Sequence, residues 1–118
     1  MKRTIELKHV EAKGHVRQLI EELLSRLEDK LRHFRQDAVS VHVLFEENGN
    51  RSLYRASLSC HIPKHMIAAH EENRQPGVAI RRAFAEVERQ LEKQSTRFYR
   101  AQQRKRALRA PLPEASEF

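Results

Sequence analysis

Apolar and polar positions change period several times along the chain, and each change predicts an element. In TIELKHV, residues 4–10, Ile5 and Leu7 alternate with Thr4, Glu6 and Lys8. That is the period-two signature of a short strand with one covered side. From Lys13 to Gln36 the apolar residues Val16, Leu19, Ile20, Leu23, Leu24, Leu27, Leu31 and Phe34 recur at helical spacing. They predict one helix carrying a single apolar stripe. Alternation returns in AVSVHVLFEE, residues 38–47, with Val39, Val41, Val43 and Phe45 on one side and Ser40, His42 and Leu44 on the other. The following ENGNRS contains Asn-Gly, a strong hairpin signal. LYRASLSCHI, residues 53–62, is then the return strand, ended by Pro63, which cannot donate to a ladder.

HMIAAHEE, residues 65–72, fits either a strand or a helical turn. A third partner stabilises a hairpin, so a strand is expected. NRQPG, residues 73–77, interrupts the pattern, and a long helix is expected from Pro76 to about residue 105. APLPEASEF, residues 110–118, has two prolines and no period and reads as a loose tail. The order β-α-β-β-β-α predicts an α+β domain: one four-stranded sheet with two helices packed on a single face. The domain is expected over residues 1–105, with the helix end as a basic extension and residues 106–118 as a disordered tail.

Composition adds charge to this picture. The 118 residues carry a formal net charge of +7, with 33% charged residues. A surplus of that size on a small domain favours polyanions: RNA, DNA or an anionic membrane surface. No window approaches the apolar length of a membrane span, and the basic MKRTIELKHV lacks the apolar run of a signal peptide. Cys60 stands alone, so no disulfide can form within the chain and a reducing, cytoplasmic compartment fits.

The basic residues are not scattered. At about 100° per residue, Ile80, Phe84, Val87, Leu91 and Phe98 define the buried face of the last helix, with Ala83 at its edge. Arg82, Arg89, Lys93 and Arg100 fall on the opposite side, Arg104 extends the row, and Glu86 intrudes near it. The bland reading is a solvated face laced with i,i+4 pairs. Like charges at Arg89 and Lys93 repel by roughly a few tenths of a kcal/mol, which an anionic partner would relieve. Residues 97–109, RFYRAQQRKRALR, hold six basic residues and no acid; the helix dipole explains one or two cations at a helix end, not six. On the first helix, Glu21, Glu22, Ser25 and Asp29 read as ordinary surface, while one flank carries Arg26, Lys30 and His33. If that flank lies beside the last helix, the two basic rows become one patch.

Other chemistry is weaker. Cys60, His61, His65 and His70 are four possible metal ligands. Adjacent residues of one strand point to opposite faces, however, and the spacings match no common zinc site, so no metal or other cofactor is expected. Cys60 has no evident base or oxyanion loop, and with three glycines there is no Gly-rich phosphate loop. Nothing argues for an enzyme. Most phenylalanines are spoken for by the core, which leaves Tyr54 and Tyr99 for base stacking. Recognition of shape and phosphate in folded RNA therefore fits better than stacking.

The element order, RLEDKLRHF (26–34), the strand pair VSVHVLFEENGNRSLYRASLSCHIP and the AI…ERQLEK helix (79–93) together resemble the ribosome hibernation promoting factor family. That family is also known as ribosomal subunit interface protein or sigma-factor modulation protein. The resemblance covers roughly residues 3 to 98. It implies a four-stranded sheet with two helices on one face, similar to double-stranded RNA-binding domains, and no catalytic activity. It also implies binding to the small ribosomal subunit and its ribosomal RNA in the channel used by messenger RNA and tRNA anticodons, blocking translation in idle ribosomes.

By position, Arg26 and Lys30 resemble the basic residues of the family's first helix, and Arg89, Lys93 and Arg97 those of its second. The expected RNA-binding set is therefore Arg26, Lys30, Arg81, Arg82, Arg89, Lys93, Arg97, Arg100 and Arg104. Two positions depart from the family's pattern: Arg81, where an acid is common after AI, and Glu86, where a lysine is common. The chain resembles the family's short form with a basic extension, expected to be monomeric off the ribosome. The alternative is a protein-interaction module modulating a transcription factor; a metal-dependent enzyme using Cys60 and the histidines is weaker still.

Overall fold

The computed structural model describes residues 1–9, 13–48 and 52–109, with side chains over 1–9, 14–48 and 52–94. Four strands and two helices follow in the order β1 (Lys2–Lys8), α1 (Lys13–Lys30), β2 (Ser40–Asn48), β3 (Leu53–Ile62), β4 (His65–Asn73) and α2 (Pro76–Arg109). The strands lie side by side in sequence order, with β1 parallel to β2 and the other pairs antiparallel. A parallel pair needs a crossover too long for a turn, and α1 supplies it.

Alternation sets which side of the sheet is covered. Val41, Val43 and Phe45 of β2, Ala56, Leu58, Cys60 and Ile62 of β3, and Ile67 and Ala69 of β4 are buried. They meet Val16, Ile20, Leu24 and Leu27 of α1 and Ala79, Ile80, Ala83, Phe84, Val87 and Leu91 of α2. Both helices therefore cover one face, as their stripes predict. The other face carries Thr4, His42, Ser59 and Ala68 in one cross-strand row, and Glu6, Leu44, Ser57 and His70 in the next. The segment at 65–72 is a strand because Ile67 and Ala69 alternate into the core. It turns back from β3 through Pro63 and Lys64, with Lys64 at φ 70°. Proline followed by a left-handed residue is the combination of a type II turn. The Asn-Gly expected between β2 and β3 lies partly outside the described residues.

Some boundaries differ from expectation. β1 covers Lys2–Lys8 rather than 4–10, because its register with Ser40–Glu46 starts at Lys2 and the chain turns at His9, φ 54°. β2 likewise starts at Ser40 rather than 38, since a short 3-10 turn occupies Gln36–Ala38. α1 ends at Lys30, not Gln36. Past the helix end the Gln36 side chain ties the turn together: its Nε2 donates to Leu31 O at 2.8 Å, a carbonyl that also accepts from Phe34 N at 3.1 Å, and to Phe34 O at 3.0 Å. α2 runs past residue 105 to Arg109, as no breaker occurs before Pro111.

Candidate nucleic-acid interface

Two contacts fix how the helices lie against each other. Lys30 Nζ sits 3.1 Å from Glu88 Oε2. Nearer the start of both helices, a Cβ added at Gly77 would lie 3.9 Å from Leu19 Cδ2. Both pair residues 58 apart in sequence, so α1 and α2 run parallel, side by side. The flank of α1 bearing Arg26 and Lys30 thus borders α2, which merges the two basic rows into one outer surface. On the far side of α2, Gln90 Nε2 donates to Ala68 O of β4 at 3.1 Å. α2 is held between α1 and the sheet edge, and its remaining arc points away from the core.

Arg26, Lys30, Arg81, Arg82, Arg89 and Lys93 are all exposed on this surface. Arg81 lies over Gly77, with its Nη1 only 2.9 Å from where a Cβ there would stand. Among the described residues, Arg26, Arg81, Arg82 and Lys93 form no ion pair, whereas Lys30 and Arg89 do. Arg89 meets Glu86 through two bonds, Nε to Oε1 at 2.9 Å and Nη2 to Oε2 at 2.6 Å. Gln90 Nε2 adds a third donor to the same carboxylate at 2.8 Å.

Sequence reasoning identifies Glu86 as an intruder in the basic row but misses this clamp. Three residues back along the helix, it sits within reach of Arg89. The bonds from Arg89 and then Gln90, with the nearby charges of Arg89 and Lys93, pull the Glu86 carboxyl down to about 2, and Arg89 is pushed up in turn. Glu86 is therefore ionised at any working pH, and the site holds a fixed anion among its cations. Arg97, Arg100 and Arg104 lie on the α2 backbone beyond the described side chains.

The remaining candidate chemistry does not assemble. Cys60 is fully buried and His61, its neighbour, is exposed on the opposite face. Burial pushes the Cys60 thiol up to about 11, which keeps it a neutral, poor nucleophile. His70 Nδ1 shares a hydrogen bond with Ser57 Oγ at 2.8 Å. Among the described residues no three His, Cys, Asp or Glu side chains stand close enough to hold a metal, and no helix is long and apolar enough to cross a membrane. Tyr54 is half-buried and stacks on Phe45, with ring centroids 5.7 Å apart at 8°. It belongs to the edge of the core and is a poor platform for a base. Tyr99 lies outside the described side chains.

Solved structures share this fold. A ribosomal subunit interface protein from Coxiella burnetii is 19% identical and superposes with a TM-score of 0.63, over 81% of this chain and 99% of its own. The N-terminal domain of Protein Y from Thermus thermophilus is 22% identical with a TM-score of 0.65, over 79% of this chain and 98% of its own. No curated protein matches. The family described as Sigma 54 modulation protein / S30EA ribosomal protein matches residues 4–98, which spans α1, α2 as far as Phe98, the sheet except Lys2 and Arg3, and the candidate basic positions from Arg26 to Arg97. The chain belongs to that ribosome-associated family.

Proposed function

We propose that this chain is a non-catalytic factor that binds the ribosomal RNA of the small subunit near the decoding channel. Bound there, it blocks messenger RNA and tRNA in stress or stationary phase. It acts in the cytoplasm, without a cofactor, and as a monomer off the ribosome. The observation that carries this reading is the shared outer surface of α1 and α2. Arg26, Lys30, Arg81, Arg82, Arg89 and Lys93 are exposed there and contributed by two helices locked in parallel. Arg97, Arg100 and Arg104 continue it along α2. Cations carried on two packed helices suit the phosphates of a folded RNA better than exposed aromatics would. The family name and the name of the Coxiella neighbour support the ribosome as the partner.

Sedimentation tests the reading directly. In lysates from stationary-phase cells at low salt, the protein is expected to travel with small subunits and whole ribosomes. If it stays at the top of the gradient, the reading fails. If it instead survives nuclease treatment in a complex without ribosomal proteins, the module acts on a protein partner. Reversal of charge at Arg89 and Lys93 is expected to weaken subunit binding and flatten its salt dependence, each lost phosphate contact lowering the log–log slope by about 0.7 to 0.9.

A further inference from the structure

The family match ends at residue 98, but α2 continues to Arg109. The two solved neighbours likewise cover about four-fifths of this chain while being matched almost completely themselves. The last described buried residue of α2 is Leu91. At 1.5 Å per residue, the helix therefore runs about 27 Å beyond that point. Its apolar stripe also stops: the positions that continue Ile80, Phe84, Val87 and Leu91 past Phe98 are Gln102, Lys105 and Arg109.

The cations of the extension are arranged differently from those of the domain. On the domain part of α2, Arg82, Arg89 and Lys93 form one row, which Arg100 and Arg104 continue. Over residues 97–109 the six are Arg97, Arg100, Arg104, Lys105, Arg106 and Arg109. At about 100° per residue they spread over about 240° of the helix circumference. Arg100 and Arg104, and Lys105 and Arg109, are like-charged i,i+4 pairs that disfavour a free helix. The apolar residues Phe98, Tyr99, Ala101, Ala107 and Leu108 are dispersed around the helix rather than gathered on one side. An interfacial membrane helix requires a continuous apolar face, which this segment lacks. A flat anionic surface would also reach only some of the six cations. A partner that presents phosphate on two sides, as the walls of a groove do, reaches nearly all.

Building on the RNA-binding reading above, we infer that residues 99–109 carry the basic row past the family's boundary into a second RNA contact, in which Lys105, Arg106 and Arg109, which lie off that row, engage the other wall of a groove of structured RNA. The domain face grips one RNA surface, and the arm reaches about 16 Å further along α2 to a neighbouring double-stranded segment.

The test uses the full chain. The triple substitution Lys105→Gln, Arg106→Gln, Arg109→Gln removes the three cations that lie off the domain's row, with a residue of good helix propensity. The control, Lys2→Gln, Lys8→Gln, Lys64→Gln, removes the same charge from exposed positions on the strands and the β3–β4 turn. Each is titrated against a blunt RNA duplex of about 16 base pairs and against purified small subunits across a salt series. The arm variant is expected to lose about 2 to 3 from the log–log slope on both partners, while the control keeps the wild-type slope.

If the arm variant and wild type have equal slopes on subunits that both bind, the arm inference falls and the domain reading stands. Equal losses in the arm variant and the control reduce the effect to net charge and also overturn it. Arm-dependent binding to phosphatidylserine vesicles as strong as to the duplex would reassign the arm to membranes. If wild type binds neither subunits nor duplex at low salt, the domain reading and the arm fall together.

Discussion

Glu86 is the residue at which local chemistry and the expected function pull apart. It stands in a basic row, yet Arg89 and Gln90 hold it as a carboxylate well below the usual range, at about 2. A depressed carboxylate supports the folded state above its ordinary value near 4.5 and loses that support as pH falls toward 2. Between pH 6 and 8 the clamp is thus constant, and it costs the surface one positive charge while tying Arg89 down. Glu86→Gln is expected to tighten binding to small subunits and steepen the salt slope by up to about one, equally at pH 6 and pH 8. A weaker-binding variant would mean that the carboxylate positions Arg89 for its phosphate.

Cys60 shows the opposite sign. Its thiol is pushed up to about 11 from an ordinary value of 9.0, so the folded protein keeps it neutral after the unfolded chain has ionised. Stability from this group is complete below pH 9 and declines as pH rises to 11, by about 2 to 3 kcal/mol. Denaturation midpoints at pH 8 and pH 10.5 are expected to separate more for wild type than for Cys60→Ala. Equal separations would show that the thiol is hydrated in the folded state.

At the scale of elements, most of the architecture was legible because each strand and helix buries one side only. Val41, Val43 and Phe45 had to share a face, and so did Ile80, Phe84, Val87 and Leu91. The end of α1 was not legible. Leu31 is fully buried and Phe34 packs against the core, so the apolar stripe continues after the backbone has left the helix. What holds the turn after α1 is a side-chain amide reaching back from Gln36, a contact without periodicity. The side on which α1 meets α2 was equally hidden, because the contacts that mark it, Lys30 with Glu88 and Leu19 beside Gly77, join positions that no period relates. Gln36→Ala removes both bonds of that amide and is expected to cost about 1 to 2 kcal/mol. Urea melts should show a lower midpoint with an unchanged slope. A midpoint equal to that of wild type would show that water replaces the amide at no cost.

For the whole molecule, the decisive property is that one face of the sheet is covered by helices and the other is not. The candidate basic residues lie on the outside of the helical layer, while the bare sheet face mixes Lys2, Lys8 and Arg55 with Glu6, Glu46 and Glu72, Arg55 being paired with the last two, and otherwise carries small residues and histidines such as Ser57, Ser59, Ala68 and His70. Net charge alone would allow either face to meet RNA; the placement of cations selects the helical one. Cysteine footprinting can decide between them, because the native thiol is silent: Cys60 is fully buried and protonated at neutral pH. Ala85→Cys places a thiol on the exposed flank of α2 toward α1, and Ala68→Cys places one on the bare sheet face. Both should react quickly with a charged maleimide in the free protein. In complex with small subunits, labelling at position 85 is expected to slow several-fold while labelling at position 68 keeps its free rate. Protection at 68 with none at 85 would place the ribosome on the sheet face and detach the basic rows from function. Protection at both would mean that the domain is enclosed in a channel, with its bare face against a second wall.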